Sequence, residues 1–352
     1  MVPPRLVRRL VVAPIVVVIA LALLVLFPAL AVVAAVLGLV HLSRPGRMRG
    51  LRLLWFAMVW LTGETAALFA CLGLWLASGF GGRMRTEPYQ ARNYATIGWF
   101  LDHVYRAAEH TFGLRMVIEE PEATPAERLA RLTRPVIVLS RYHRRPRVVM
   151  KATLQLDPML DVIANRVPNV FIRAQDAGQQ IFTEHIERLA DGLGDDGALV
   201  IFPEGANWTP GRWRRGIQRL RDKGRGDLAT RAAQMPNLLP PREGGVLAAL
   251  RACPAADVVF VAHAGLDEMV TVADVWRDLP INQTVVARWW RVPAGEVPRD
   301  AGHEAQVKWL FDWWQLIDAW ISDHRPAGAP GSAGPAGSPS APDAGAPEAA
   351  SS

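Results

Sequence analysis

Cysteine is nearly absent: the 352 residues hold two, Cys71 inside an apolar run and Cys253 beside Pro254. That scarcity excludes a disulfide framework and a cysteine-based zinc site, and it suits a reducing compartment. Charge is missing from two long stretches. Leu10 to Leu42 has no acid, Lys or Arg and only the terminal His41, and Leu53 to Phe80 has a single charged residue, Glu64. Both runs exceed the roughly 20 residues a membrane-spanning helix needs, and the first is too long for a signal peptide's apolar region of about 7 to 15 residues. Acid is missing from a third stretch. Arg212, Arg214, Arg215, Arg219, Arg221, Lys223 and Arg225 have only Asp222 against them.

What is present points to a membrane. Hydrophobic residues make up 51% of the chain, and the net charge of +6 favours anionic partners, among them phospholipid headgroups, a phosphorylated substrate or nucleic acid. Residues 1–82 read as a membrane-associated helical segment built from the runs 10–42 and 53–80. Pro14 and Pro28 interrupt the first run, and a kink or a split is expected at Pro28 within one membrane element. The second carries Trp55, Phe56, Trp60, Phe69 and Trp75, which suit an interfacial belt, and Glu64 reads there as structural or headgroup-facing. Arginines flank both runs on either side, so their count leaves the orientation open.

Residues 92–324 read as an α/β domain with a mostly parallel sheet flanked by helices. Strands are expected at 114–118, 136–139, 147–150, 169–172, 199–202, 258–262 and 284–290. Helices are expected at 154–165, 179–193, 212–223 and 245–252, and a last one at 304–323 packs Trp309, Trp313, Leu316 and Trp320 near helical spacing. Residues 325–352 are almost all Pro, Ala, Gly and Ser and are expected to be a disordered tail.

The stretch Ala198 to Arg212, ALVIFPEGANWTPGR, places Phe202, Pro203, Glu204 and Gly205 where a buried strand must end. Glycine there admits a ligand close to the backbone, and on parallel sheets ligands bind beyond the carboxyl ends of the strands. This FPEG block resembles that of the glycerolipid acyltransferases of the 1-acylglycerol-3-phosphate acyltransferase type. Two further blocks carry the resemblance, which covers roughly residues 112–290. They are Val149 to Lys151 with Leu154, Pro158 and Asn169 to Arg173, and the apolar strand Val258 to Ala262. Ala206 stands where the family usually has Thr. The resemblance implies a glycerol-3-phosphate acyltransferase-like fold behind membrane helices, with Arg173, Glu204, Gly205 and Arg212 around the acceptor's phosphate. It implies a lysophospholipid acceptor, an acyl-CoA or acyl-carrier-protein donor, membrane phospholipid as partner, and no metal or prosthetic group. A cell-membrane location with the catalytic-type domain on the cytoplasmic face goes with it.

The family's catalytic block, a His, four spacers and an Asp, is absent at all eight histidines: the fifth residue after His143 is Val148, and after His263 it is Glu268. Only Tyr142 to Pro146 lie between Arg141 and Arg147, too few for a parallel crossover of about 10 residues or more. His143 is the nearest replacement base in sequence, although Arg144, Arg145 and Arg147 crowd it with like charge. His263 is a second candidate, and local hydrogen bonding is its bland alternative. Two functions follow as expectations: an acyltransferase of phospholipid synthesis, or a family member that binds phospholipid without turnover. Nucleic-acid binding by 212–225 is weaker, because Trp213 is the only aromatic interleaved there.

Overall fold

The structure of the protein is a computed structural model that describes residues 2–40, 48–119, 144–173, 180–265 and 284–325. Helix α1 (Arg5–Val7) continues through a π-helical turn (Arg8–Val12) into α2 (Ala13–Val40). Pro28 lies inside α2 without ending it, so the run stays one element there and is not split. Helix α3 (Arg49–Ala77) ends three residues before the apolar run does, because Gly79, Phe80 and Gly81 take left-handed backbone after it. Mean hydropathy is 3.3 in an 18-residue window of residues 5–38 and 1.5 in one of 49–77, so both helices are long and apolar enough to cross a membrane. Val18, Val25 and Val32 of α2 are more than half exposed, which leaves an apolar surface that water does not favour.

These helices are not a detached anchor. Helix α3 packs on α2 and on the amphipathic α4 (Glu87–Phe112). Ala67, Cys71 and Phe100 from that pair join Met159 and Ile163 of α5 (Pro158–Ala164) in one core cluster. Arg8 and Arg9 close on the buried Asp161 of α5, with Nη2 of Arg8 2.6 Å from Oδ1 and Nε of Arg9 3.2 Å from Oδ2. The helix expected over 154–165 is divided. A 3-10 turn (Ala152–Leu156) is followed by Asp157 in extended backbone, as a residue before proline prefers, and the Asp157 carboxylate caps α5 by accepting from the Leu160 amide at 2.8 Å.

The remaining elements mix strands and helices. Strand β1 (Arg115–Glu119) follows α4; then come β2 (Arg145–Lys151), α5, β3 (Val170–Ile172), α6 (Gln180–Ala190), β4 (Gly197–Val200) and α7 (Pro210–Asp222). Next are α8 (Gly226–Ala233), α9 (Glu243–Ala252), β5 (Val258–Ala264), β6 (Thr284–Val292) and α10 (His303–His324). Among the described residues the strands form two three-stranded sheets rather than one: β3-β2-β4, all parallel, and β1-β6-β5, in which β6 runs parallel to β1 and antiparallel to β5. The strand expected at 136–139 lies outside the described residues, as does the tail beyond Arg325.

The larger core is built on α10. Leu310, Phe311, Trp314, Ile317 and Trp320 are buried with Phe260, Ala262 and Ala264, the inward residues of the alternating strand β5. Trp313 stacks on Phe260 with ring centroids 4.8 Å apart, so Trp309 and Trp313 pack partly buried at the edge of this core and Trp320 inside it, while Leu316 of the expected stripe is exposed.

Candidate functional site

The parallel sheet sets the geometry. Strands β3 and β4 lie on either side of β2 and run the same way, with Val148 level with Val200 and Lys151 level with Ile172. Lys151, Arg173 and the Pro203–Gly205 turn therefore emerge at one end, the outer two about 10 Å apart by two strand spacings. Residues 197–200 make four ladder pairs and the chain then leaves the sheet, with Phe202 67% exposed.

The turn is zipped to a second loop, residues 239–242. The Gly205 amide donates to the Phe202 carbonyl at 3.0 Å, the Arg242 amide donates to the Pro203 carbonyl at 2.9 Å, and Glu204 Oε2 accepts from the Leu239 amide at 3.0 Å. Trp314 of the core helix fixes the same loop by donating Nε1 to the Leu239 carbonyl at 3.1 Å. Glu204 is thus a brace whose carboxylate faces inward. Burial lifts its carboxyl above the usual range and the Leu239 amide opposes the lift.

Gly205 has φ +68°, and a Cβ there would lie 3.0 Å from Nε of Arg242 and 3.1 Å from its Cζ. The glycine admits a guanidinium against the turn, while its own N–H is spent inside the turn. Loss of solvent around the Arg242 guanidinium, and then the like charge of Arg219, pull its pKa below the ordinary arginine value. Arg219 belongs to α7, which the Thr209 hydroxyl caps by accepting from the Arg212 amide at 3.3 Å. Gly216 of α7 allows the approach, since a Cβ there would meet Pro240 at 2.9 Å.

Of the residues expected from sequence, Gly205 and Glu204 are in the turn, and Arg173 is exposed at the same end of the sheet. Arg212 is partly committed, donating Nη1 to the Asn207 carbonyl at 3.2 Å. His143 lies outside the described residues; its neighbour Arg144 precedes the amino end of β2, whose seven residues put that end about 20 Å from Lys151. Sequence reading missed Arg242 and placed Arg219 only within the basic stretch. Arg242 follows Pro240 and Pro241 in a loop without a motif, and only its positive charge signalled it. Among the described residues neither guanidinium has an acidic partner, and the same holds for Arg173 and Lys151. Arg242 against a positive-φ glycine, with Lys151 and Arg173 at the same end of the sheet and the nearby carboxylate braced inward, makes a basic site that can bind a dianionic oxyanion group such as a phosphate monoester.

Other polar clusters do something else. A depression of about 500 Å³ between α8 and α10 holds Asp318 and Asp323. Asp318, with its carboxyl pushed up to about 6 by burial, accepts from the Asn237 amide at 2.8 Å and ties the two segments together. His324 faces the Trp320 carbonyl at 2.8 Å through Nδ1 and Glu119 Oε1 at 2.9 Å through Nε2, so neither ring nitrogen is free to take a substrate proton. His263 sits at an exposed position of β5. No family model, no curated protein and no solved structure matches the chain.

Proposed function

We propose that the protein is a membrane-associated acyltransferase of phospholipid synthesis, transferring a fatty acyl group from an acyl thioester to the free hydroxyl of a lysophosphatidate-like lipid. The observation that carries the reading is the Arg242 guanidinium lying against Gly205 of the FPEG turn, beyond the carboxyl end of a parallel strand and with no acidic partner among the described residues. Such a basic site suits the phosphate of an acceptor whose acyl chain stays in the bilayer held by α2 and α3. The likeness of the FPEG block to 1-acylglycerol-3-phosphate acyltransferases supplies the reaction. The acceptor oxygen attacks the thioester carbonyl carbon, a C–O bond forms, the C–S bond breaks, the thiol leaves, and a base takes the hydroxyl proton. The donor is acyl-CoA or an acylated carrier protein, and no metal or prosthetic group is needed for this transfer. Two free cysteines accord with the domain lying on the cytoplasmic face.

A second reading rests on one specific observation, the absence of a His, four spacers and an Asp. It holds that the basic site binds phospholipid without turnover. Radiolabelled acyl transfer to lysophosphatidate by the purified full chain separates the two, with binding measured in parallel. Transfer above a no-enzyme control supports the acyltransferase; binding without transfer supports the second reading; absence of both removes the basic site from lipid chemistry. His143→Ala belongs in the same assay, because a loss of transfer with binding intact would assign the base to that residue.

A further inference from the structure

Helix α7 has one apolar edge and one that is entirely basic. Trp213, Ile217 and Leu220 face the core, and Trp213 donates Nε1 to the Met235 carbonyl at 2.9 Å. At 3.6 residues per turn, Arg212, Arg215, Arg219 and Lys223 fall within about 80° of one another on the side opposite Ile217. All four are exposed. The only acid in the segment, Asp222, accepts from Gln218 Nε2 at 2.8 Å, and among the described residues Arg215, Arg219 and Lys223 have no acidic partner. The stripe follows the FPEG turn in the chain and includes Arg219, whose charge acts on Arg242, and the turn itself exposes Phe202.

A row of like charges along one helix edge opposes folding and is stabilised by an anionic surface of matching extent. We propose that this stripe docks on anionic phospholipid headgroups and holds the FPEG turn against the bilayer. This rests on the reading of the chain as a membrane-associated lipid enzyme, and adds to it an electrostatic contact distinct from the apolar helices and a preference for negatively charged membranes. A bilayer fits better than nucleic acid. Trp213, the aromatic residue within the helix, is turned to the core and offers no base-stacking platform, whereas the exposed Phe202 of the FPEG turn offers an apolar side chain to the headgroup region. Each cation near an anionic leaflet adds about fivefold to membrane partition, and the effect fades over a Debye length of about 10 Å at 0.1 M salt.

The test is arginine footprinting with phenylglyoxal on the full chain in nanodiscs, read by mass spectrometry. Discs of phosphatidylcholine alone are compared with discs that also contain phosphatidylglycerol. Modification of Arg215 and Arg219 is expected to slow at least about fivefold in the anionic discs at low salt and to recover at high salt. Arg251 and Arg291, exposed elsewhere and paired with Glu187 and Asp257, serve as references expected not to change. In the Arg215→Glu/Arg219→Glu double variant, Arg212 should be modified equally in both discs. Equal rates for Arg215 and Arg219 in the two discs overturn the proposal, as does protection by duplex DNA in phosphatidylcholine discs without any by phosphatidylglycerol. Lysophosphatidate binding in phosphatidylcholine discs keeps the two claims apart: binding without phosphatidylglycerol protection sinks the docking stripe alone, and protection without binding sinks the acceptor site alone.

Discussion

The two ends of the parallel sheet use the same residue type in opposite ways. At the amino end of β2, Arg145 pairs with Glu87 and Asp196, its Nε 3.0 Å from Asp196 Oδ2. Arg147 donates to the carbonyls of Leu189, Asp191 and Gly192 at 2.9, 2.7 and 2.7 Å, which caps the last turn of α6. At the carboxyl end, Lys151, Arg173, Arg219 and Arg242 face no carboxylate among the described residues, and the one acid nearby, Glu204, is bound to the Leu239 amide. Arginines at the first end are latches whose hydrogen-bonding needs the protein meets. Those at the second keep donors that no carboxylate takes among the described residues. A guanidinium is equally charged in both places, so its partners, and not its presence in the sequence, separate structure from function.

The largest expected effect breaks the latch. Arg147→Ala removes three charge-assisted hydrogen bonds, of which the one to Leu189 is the least exposed, and should cost about 2 to 3 kcal/mol of stability. In detergent micelles that reads as a fall in melting temperature of about 5 to 10 °C, with lysophosphatidate affinity per folded molecule unchanged. Arg242→Gln should do the reverse. Losing one charged donor to a phosphate weakens binding by about 2 kcal/mol, roughly 30-fold, in calorimetric titration with lysophosphatidate, while the melting temperature stays within about 2 °C of the parent. If both variants lose stability together and binding together, the distinction between the two ends is wrong.

The same contrast explains what the sequence disclosed. The FPEG turn was legible because a run of apolar residues, a proline and a glycine are local signals, and the structure puts that turn at the carboxyl end of a parallel strand. The tryptophan stripe of α10 was legible because helical spacing is local too. Arg242 was not, since its place against Gly205 depends on the Leu239 amide meeting Glu204, 35 residues away in the chain. Nor was the pairing of Arg8 with Asp161, separated by 153 residues, which turns the apolar amino-terminal segment into part of the domain. Alternating strands and helices announced an α/β chain, but the division into two small sheets follows from pairing partners that a single sequence does not specify. Glu204 was expected beside the phosphate, and its inward turn follows from an unpaired amide in a distant loop.

The smallest effect probes the boundary between the two behaviours at Gly205. Alanine there must hold φ near +68°, which costs an L-residue about 1 kcal/mol, and its Cβ would push the Arg242 guanidinium outward by a few tenths of an ångström from its 3.0 Å approach. Stability should fall by about 2 to 4 °C in melting temperature, and affinity for lysophosphatidate should fall by less than in Arg242→Gln, because the charge is displaced and not removed. Asparagine tolerates left-handed backbone better than alanine, so Gly205→Asn should recover part of the stability while its longer side chain displaces Arg242 further. Binding that follows stability across glycine, asparagine and alanine would mean that the turn matters only for folding. Binding lowest in the asparagine variant would place the anion where Arg242 lies on the glycine.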